Sequence, residues 1–485
     1  MDVIFTDIKQ CFDSIWLDEA TNDLYDSGVE SRNLNLLYEG NRTTSMCVET
    51  NFGKTERTDL DKVVMQGSVP GGLICSNQIS KICNKLYKEG NYYMYREQIA
   101  IPALAMVDDI MEVVECNTAE GLACNIKTDA FIQRKKLESQ TGEGKCQWLH
   151  IGGDNCASKY YANGSEIDKT NTYKYLGDYI ADGLDTLYEK RIEKAHGYSA
   201  TCLAMSSEIS LGYQVVNIAK LLHQSIFLNG TLLNMETWTN CSVTRIEKLE
   251  VIEQHLFRKI LNAHSKTPIE AIYLEIGVYP LRFHLMKRRI MYLHSILQRD
   301  NGEITKEIIL LQKRECYKGD FYDQVKNDMN DLGINDCDYQ ISQNRFKTLL
   351  NKKIDDLAFN FLIEKAKTHS KVNESAYENC HGVEYLKVPQ FTPDLSQLLF
   401  AFRTRCFLVK NNFRNNYKNT NILCPLCEEK DDTQEHIFEC KNIKSIYRDE
   451  SKYEDIFSKD MEVLLQTAKT LKTLVQVREL LLEEL

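Results

Sequence analysis

Three carboxylates stand where the sequence predicts the ends of strands. Asp7 follows the apolar run Val3-Ile4-Phe5, and Asp108-Asp109 separates the apolar runs 99–107 and 110–114. Strand ends hold side chains rigidly, and carboxylates that repel one another favour a hard cation such as magnesium between them. Two such ions about 3.5 to 4 Å apart can activate a 3′ hydroxyl for attack on a phosphoryl group. A solvated turn remains the alternative interpretation of Asp108-Asp109.

A second set of candidate ligands lies near the end of the chain. Cys424, Cys427, His436 and Cys440 fall within 17 residues. Thiolate and imidazole ligands at this spacing are typical of one tetrahedral zinc site that stabilises a fold without doing chemistry. A disulfide is the alternative, but most of the 17 cysteines are scattered singly through apolar segments, which indicates a reducing compartment.

The composition sets limits on size and partners. The chain has 485 residues, of which 43% are hydrophobic and 27% charged, so we expect a globular protein of about three domains. The net charge of −11 excludes a protein that coats nucleic acid through its overall field. Contact with a polyanion therefore requires a local basic surface.

One segment has the composition of such a surface. Residues 396–427 contain no Asp or Glu, and aromatic residues alternate there with basic ones. The basic residues are Arg403, Arg405, Lys410, Arg414 and Lys418. Basic and aromatic side chains together suit a phosphate backbone and unstacked bases, whereas a solvated helix face is the alternative.

Membrane and secretion signals are not visible in the sequence. A bilayer span needs about 18 to 20 consecutive apolar residues, and no stretch approaches that length. We expect an intracellular protein of the cytoplasm, the nucleus or both, without a membrane partner.

The hydrophobic pattern changes character near residue 182. Before it, short strands and hairpins alternate with helices; the strands include 146–151 and a hairpin around 173–177, and the helices include 73–89 and 118–137. From Leu187 onward, the apolar residues recur almost everywhere at the spacing of a helix. The predicted fold class is therefore α+β.

Five segments resemble the motifs of reverse transcriptases, in the same order and with similar separations. Phe5–Ile15 resembles the first palm motif, with an Asp, four residues and then Phe-Asp, while Gln66–Gly72 resembles the second motif and Met106–Asp109 the third. Lys145 before residues 146–149 is similar to the fourth motif, and residues 173–177 to the primer-grip hairpin. The cysteine cluster beside the basic segment resembles the carboxy-terminal region of non-LTR, LINE-type retrotransposon proteins.

The resemblance implies an architecture and a division of the chain. It implies a palm of antiparallel strands backed by helices at 1–182, an α-helical thumb at 183–300 and a helical connector with the basic segment at 301–420. A zinc knuckle at 421–445 and a carboxy-terminal helix at 446–485 follow. The implied activity is RNA-directed DNA polymerisation, with an RNA template, a DNA primer and deoxynucleoside triphosphates as partners.

The resemblance also implies roles for the residues at the reacting centre. Asp7 and Asp108 would bind two magnesium ions, Asp109 would support the site, and Lys145 would donate a proton to the departing pyrophosphate.

Four further residues would contact the nucleotide. The backbone carbonyl of Ile8 would be an additional metal ligand, and Phe12 would exclude a 2′ hydroxyl. Gln66 and Gly67 would let the backbone approach the nucleotide and the template.

Two features depart from the family pattern. Met106 stands where an aromatic residue is usual, and only six residues precede Asp7, so we expect a chain truncated at the first palm motif with its fingers largely missing. An inactive remnant that binds nucleic acid through its basic segment and knuckle is therefore the alternative function.

Overall fold

The computed structural model describes most of the chain in two compact units. The described residues are 1–42, 45–59, 64, 69–101, 103–116, 118–142, 144–152, 157–207, 215–239, 241–335, 341–369, 372–377, 383–412 and 421–484. The units are Met1–Lys190 and Arg191–Leu485. Within the described ranges, no helix combines the length and the apolar character needed to cross a bilayer.

The strands lie in the first unit. In chain order they are β1 (Asp2–Asp7), β2 (Ser45–Met46), β3 (Glu49–Thr50), β4 (Gly53–Lys54), β5 (Thr58–Asp59), β6 (Tyr93–Tyr95), β7 (Ile99–Ile101), β8 (Leu104–Met106), β9 (Asp109–Val114), β10 (Gln147–His150), β11 (Tyr161–Ala162), β12 (Ser165–Glu166), β13 (Asp168–Thr170), β14 (Thr172–Tyr175) and β15 (Asp178–Ala181). Its helices are α1 (Cys11–Ser14), α2 (Leu17–Asp26), α3 (Ser31–Arg42), α4 (Val69–Lys88) and α5 (Ala119–Arg134), and α6 (Leu184–Ser207) contains the boundary between the units.

The central sheet has the strand order β13-β10-β1-β9-β8. The strand β1 pairs antiparallel with both β9 and β10, and β9 pairs antiparallel with β8. The prediction of an antiparallel sheet is wrong at one edge, because β13 pairs parallel with β10. The small β11–β12 hairpin lies between β10 and β13 in the chain, and two parallel strands need a connection of this length.

Successive side chains of β1 point to opposite faces of the sheet, as the pleat requires. On one face Ile4 packs in a core with Ile79 of α4, Phe131 of α5 and Trp148, and we call this the helix face. On the other, Val3 and Phe5 pack with Leu149 and Tyr173 of β14, and we call this the hairpin face.

The second unit is helical. Its α-helices are α7 (Val215–Leu222), α8 (Asn229–Thr231), α9 (Val243–Ile260), α10 (Ile269–Ile276), α11 (Leu281–Leu297), α12 (Ile304–Glu315), α13 (Phe321–Leu332), α14 (Gln343–Ala366), α15 (Pro393–Arg403), α16 (Gln434–Glu439), α17 (Lys441–Ile446) and α18 (Met461–Glu483). A π-helical stretch, His223–Leu228, connects α7 to α8, and short 3-10 turns include Glu384–Leu386 and Tyr453–Phe457.

A buried carboxylate joins several of these elements. Glu275 of α10 is fully buried and accepts hydrogen bonds from Tyr377 Oη (2.5 Å), Tyr385 Oη (2.8 Å) and Arg403 Nε (2.7 Å). Arg403 also donates from Nη1 to the carbonyl oxygen of Ile456 (2.8 Å). Burial alone would lower the pKa of Arg403, but the adjacent Glu275 charge and the tyrosines raise it above its usual range. The ion pair therefore ties α10, α15 and two short turns into one core.

A histidine in α11 makes the stability of the second unit depend on pH. Burial, together with the charges of His223, Lys287 and Arg288, lowers the pKa of His284 to about 3. The unfolded chain takes up this proton near pH 6.5 and the folded chain only near pH 3, so stability falls as the pH drops through that window. We expect His284→Gln to lessen the loss of unfolding free energy between pH 7 and pH 4 by more than about 1 kcal/mol.

Urea unfolding of the full chain at several pH values measures this effect. His196→Gln, at an exposed position of α6, is the matched control and should follow the unaltered chain. Parallel pH curves for the His284 variant and the unaltered chain would contradict the prediction.

Candidate active site and metal centre

The strand register brings Asp7 and Asp109 side by side. Asp7 is the last residue of β1 and Asp109 the first of β9, and the two are directly paired in the antiparallel ladder. Paired residues project to the same face, so both belong to the hairpin face with Phe5 and Met111. The apolar runs on either side of the acidic pair produce this register, because each strand must bury alternate side chains.

Asp108 lies one residue earlier, in the turn between β8 and β9. Met106 pairs with Asp109, which leaves Val107 and Asp108 as the turn. Val107 has φ +60°, a left-handed conformation that is costly for a β-branched residue. The prediction placed both aspartates at the tip of the bend, whereas Asp109 is already part of the strand.

Burial and the neighbouring acidic charges both act on Asp108 and Asp109. Burial raises the pKa of Asp108, and the Asp7 charge raises it further. Burial likewise raises the pKa of Asp109, with added effects from Asp108 and Asp7. Repulsion among half-buried carboxylates is relieved when a cation binds them, and oxygen donors of this kind are the ligands that magnesium prefers. The donor chemistry of the three carboxylates therefore suits a divalent ion.

Lys145 reaches this group from the turn before β10. Its Nζ donates to Asp7 Oδ2 at 2.8 Å, and this contact raises the pKa of Lys145. The three carboxylates do not form a cluster in which all ligand atoms lie within 4.8 Å of one another. Because Lys145 Nζ contacts Asp7, an ion that binds Asp7 would compete with this ammonium group.

Of the residues predicted to contact the nucleotide, Ile8 and Phe12 belong to the described part of the chain. Ile8 is buried and forms an isolated bridge with Ser139, and Phe12 in α1 is half-buried against the helix-face core. Gln66 and Gly67 lie outside the described residues.

The hairpin β14–β15 contacts the same end of the sheet. The ring of Tyr173 stacks on Phe5 with centroids 4.0 Å apart, and Tyr175 Oη donates to the Asp109 carbonyl oxygen at 3.4 Å. Sequence analysis identified the hairpin but not this bond, although the alternation of polar and aromatic residues at 172–175 was a usable signal. The contact links the hairpin to the strand that holds Asp109.

The comparison with protein families agrees with this geometry. Residues 3–180 match the family model "Reverse transcriptase (RNA-dependent DNA polymerase)". The match covers all of β1 after its first residue, β2 through β14 and most of β15, including Asp7, Asp108, Asp109 and Lys145. It supports a reverse-transcriptase domain and, in general terms, RNA-directed DNA polymerase activity and binding of template, primer and nucleotides. No curated protein matches the chain.

Beyond the reverse-transcriptase domain, the structure brings all four predicted zinc ligands together. The ligand atoms of Cys424, Cys427, His436 and Cys440 lie within 4.8 Å of one another. The two sulfur atoms of Cys424 and Cys440 are 3.9 Å apart, and Cys427 Sγ is 3.2 Å from His436 Nε2. Zinc–sulfur bonds of about 2.3 Å in a tetrahedron require sulfur atoms about 3.8 Å apart, so the cluster fits one zinc ion.

Hydrogen bonds with the local backbone position these ligands. In the turn after Cys424, Glu428 N donates to the Cys424 carbonyl oxygen (2.9 Å), and Thr433 caps α16 by accepting from His436 N (3.0 Å). Burial raises the pKa of Cys427, but hydrogen bonds from the backbone amides of Glu429 and Lys430 and from the side chains of Cys424 and Cys440 together outweigh it and lower that pKa. A lowered thiol pKa favours the thiolate that binds metal.

The basic segment differs from the prediction at one residue. Arg403 is buried against Glu275, so its guanidinium is unavailable to a phosphate backbone and the predicted contact is wrong. Arg405 forms an ion pair with Glu435 (2.7 Å), and Lys410 Nζ donates to the Leu423 carbonyl oxygen (3.1 Å). Arg414 and Lys418 lie outside the described residues.

Proposed function

We propose that the chain is the RNA-directed DNA polymerase of a non-LTR, LINE-type retrotransposon. It extends a DNA 3′ end with deoxynucleotides on an RNA template. The observation that carries the proposal is the reverse-transcriptase family match over the segment in which strand pairing sets Asp7 beside Asp109.

In this proposal the acidic end of β1 and β9 is the reacting centre. Asp7 and Asp108 would hold two magnesium ions, the Ile8 carbonyl would add a ligand, and Asp109 would support the group electrostatically. Bound magnesium would supply activation of the 3′ hydroxyl and charge neutralisation at the departing pyrophosphate.

The remaining residues contact the nucleotide, exclude a 2′ hydroxyl or donate a proton. Lys145 holds a proton beside Asp7 and donates it to the leaving group. Phe12 excludes a 2′ hydroxyl by its bulk, while Gln66 and Gly67 contact the nucleotide and template.

The non-LTR assignment rests on the carboxy-terminal part of the chain. A four-ligand cluster that fits zinc follows a segment rich in basic and aromatic residues. We propose that the ion is structural. We also propose that nucleic acid is contacted by Arg405, Lys410, Arg414 and Lys418, and that Arg405 and Lys410 release their existing partners when it binds.

Primer extension tests the proposal. The full chain is incubated with a DNA primer annealed to RNA, magnesium and the four deoxynucleoside triphosphates. We expect extension that requires magnesium and stops when ribonucleotides replace deoxynucleotides. Binding of the primed template without incorporation would contradict the polymerase proposal and favour the inactive remnant.

Replacement of Lys145 separates proton donation from structural support. We expect Lys145→Met to lower the extension rate about 10²-fold, because general acid catalysis contributes at least that much. The magnesium concentration for half-maximal rate should also fall, because the ammonium no longer competes for Asp7.

Steady-state extension across a magnesium titration measures both effects. Lys159→Met is the control, since Lys159 pairs with Glu166 on an exposed part of the domain. An unchanged rate at saturating magnesium would exclude proton donation by Lys145.

A further inference from the structure

The chain just before Lys145 pairs with the end of β1. Two backbone hydrogen bonds, of 2.7 and 2.9 Å, join residues 7–9 to residues 138–140. Ile8 and Ser139 lie opposite each other between these bonds, in an antiparallel bridge. In such a pair, the backbone N–H and C=O groups of each residue point away from the other strand. The backbone groups of Ser139 therefore need partners on the side away from β1.

The side-chain amide of Asn163 supplies those partners. Asn163 Nδ2 donates to the Ser139 carbonyl oxygen at 2.6 Å, and Asn163 Oδ1 accepts from Ser139 N at 3.4 Å. Ser139 is 2% exposed, so its backbone groups would be costly to bury without partners. The amide of Asn163 thus does for Ser139 what a neighbouring strand does in a sheet.

A tight turn and helix α5 hold Asn163 in place. Asn163 and Gly164 form the two-residue turn between β11 and β12, with φ of +50° and +72°. Asn and Gly are favoured in such turns because both tolerate a positive φ. Asn163 N also donates to Asp129 Oδ1 of α5 at 2.9 Å. In the same hairpin, Tyr161 N donates to Asn125 Oδ1 of α5 at 2.7 Å, so the hairpin is anchored to that helix.

Ser139 begins the loop that carries Lys145, and we call the segment from Ser139 to Cys146 the lysine loop. Cys146 N donates to the Gln140 carbonyl oxygen at 3.4 Å, so the loop closes beside Ser139. From this loop, Lys145 Nζ reaches Asp7 Oδ2 at 2.8 Å. A shift of Ser139 would therefore move the base of the loop relative to Asp7.

We propose that Asn163 is a positioning residue for nucleotide addition. Its amide holds the base of the lysine loop, and the loop in turn holds the Lys145 ammonium beside Asp7. Asn163 acts through Lys145 and not on the nucleotide. This inference rests on the proposed polymerase function and on proton donation by Lys145.

Asn163→Gly removes the amide but keeps the turn, because Gly adopts a positive φ without strain. Asn163 is exposed, so the change leaves the core of the domain intact. We expect kcat for primer extension to fall about 10-fold, with little change in the KM for deoxynucleotides, because a misplaced proton donor acts on the transition state. The magnesium concentration for half-maximal rate should fall as well, as in Lys145→Met.

A double variant separates positioning from general support of the fold. If Asn163 acts through Lys145, Asn163→Gly should slow the Lys145→Met chain by less than about 2-fold, because the group that it positions is already absent. A merely structural role would slow both chains equally. Asn51→Gly, in an exposed turn of the same domain, is the matched control and should leave the rates unchanged.

Hydrogen exchange tests the same contact without polymerase activity. Loss of the Asn163 amide leaves Ser139 N without its acceptor and weakens the pairing of residues 138–140 with β1. We expect amides at 138–142 to exchange at least about 10-fold faster in Asn163→Gly than in the unaltered chain, whereas peptides from α4 should be unchanged.

The outcomes separate this inference from the proposed function. An unaltered chain that does not extend the primer would overturn the proposed function and, with it, the catalytic purpose of the Asn163 contact. An active chain that Asn163→Gly leaves unaffected, or slows equally with and without Lys145, would overturn the positioning role alone. Unchanged exchange at 138–142 would also overturn it.

Discussion

Asp108→Asn is expected to reduce primer extension on an RNA template by about 10³-fold or more, because it removes a charge that binds the ions and stabilises the transition state. Folding should not suffer from the same change. Burial and Asp7 raise the pKa of Asp108, so the ionised carboxylate is unfavourable in the folded domain without an ion. Activity and stability should therefore separate in this variant.

Extension rates and thermal unfolding of the same preparations measure the two quantities. Asp168→Asn is the matched control, since it removes an exposed carboxylate from β13 of the same sheet. Extension within a few-fold of the unaltered chain for Asp108→Asn would refute the catalytic role of Asp108, whatever the behaviour of the control.

Glu275→Ala is expected to destabilise the second unit by about 3 to 5 kcal/mol, because it leaves the buried guanidinium of Arg403 without its anion. Two tyrosine hydroxyls also lose their acceptor. Tyr385→Phe should cost less, about 1.5 to 3 kcal/mol, because it removes one hydrogen bond to a charged group.

Urea unfolding of the full chain, with hydrogen exchange followed in peptides from α10 and α15, locates the loss. The double variant Glu275→Gln, Arg403→Met should be more stable than Glu275→Ala, because neither charge is then left unpaired. A loss below about 1 kcal/mol for Glu275→Ala would show that the ion pair does not hold these helices together.

Sequence reasoning succeeded where the deciding interactions are local or periodic. The apolar runs predicted β1, β9 and the position of Asp7 at a strand end, and pairing between the strands follows from burying the same faces. The four ligands at 424–440 were predictable because a short span of chain contains them all.

The same reasoning failed where a distant residue decides the outcome. Arg403 looked like a cation for nucleic acid because its neighbours in sequence lack carboxylates, yet its partner Glu275 is 128 residues away. Composition cannot distinguish a cation that is paired in a core from one that is free at the surface. Asn163 escaped notice for the same reason, since only the folded β11–β12 hairpin brings its amide to Ser139.

The position of β1 between β9 and β10 limits how this stretch of chain can change. Asp2 and Asp7 lie at the two ends of β1 and point to opposite faces of the sheet. The face that each one reaches depends on the number of residues between them, which is four. Insertion or deletion of a single residue between them would turn one aspartate to the wrong side of the sheet while the other stayed in place. Substitutions can accumulate within β1, but its length is fixed by the demands of both ends.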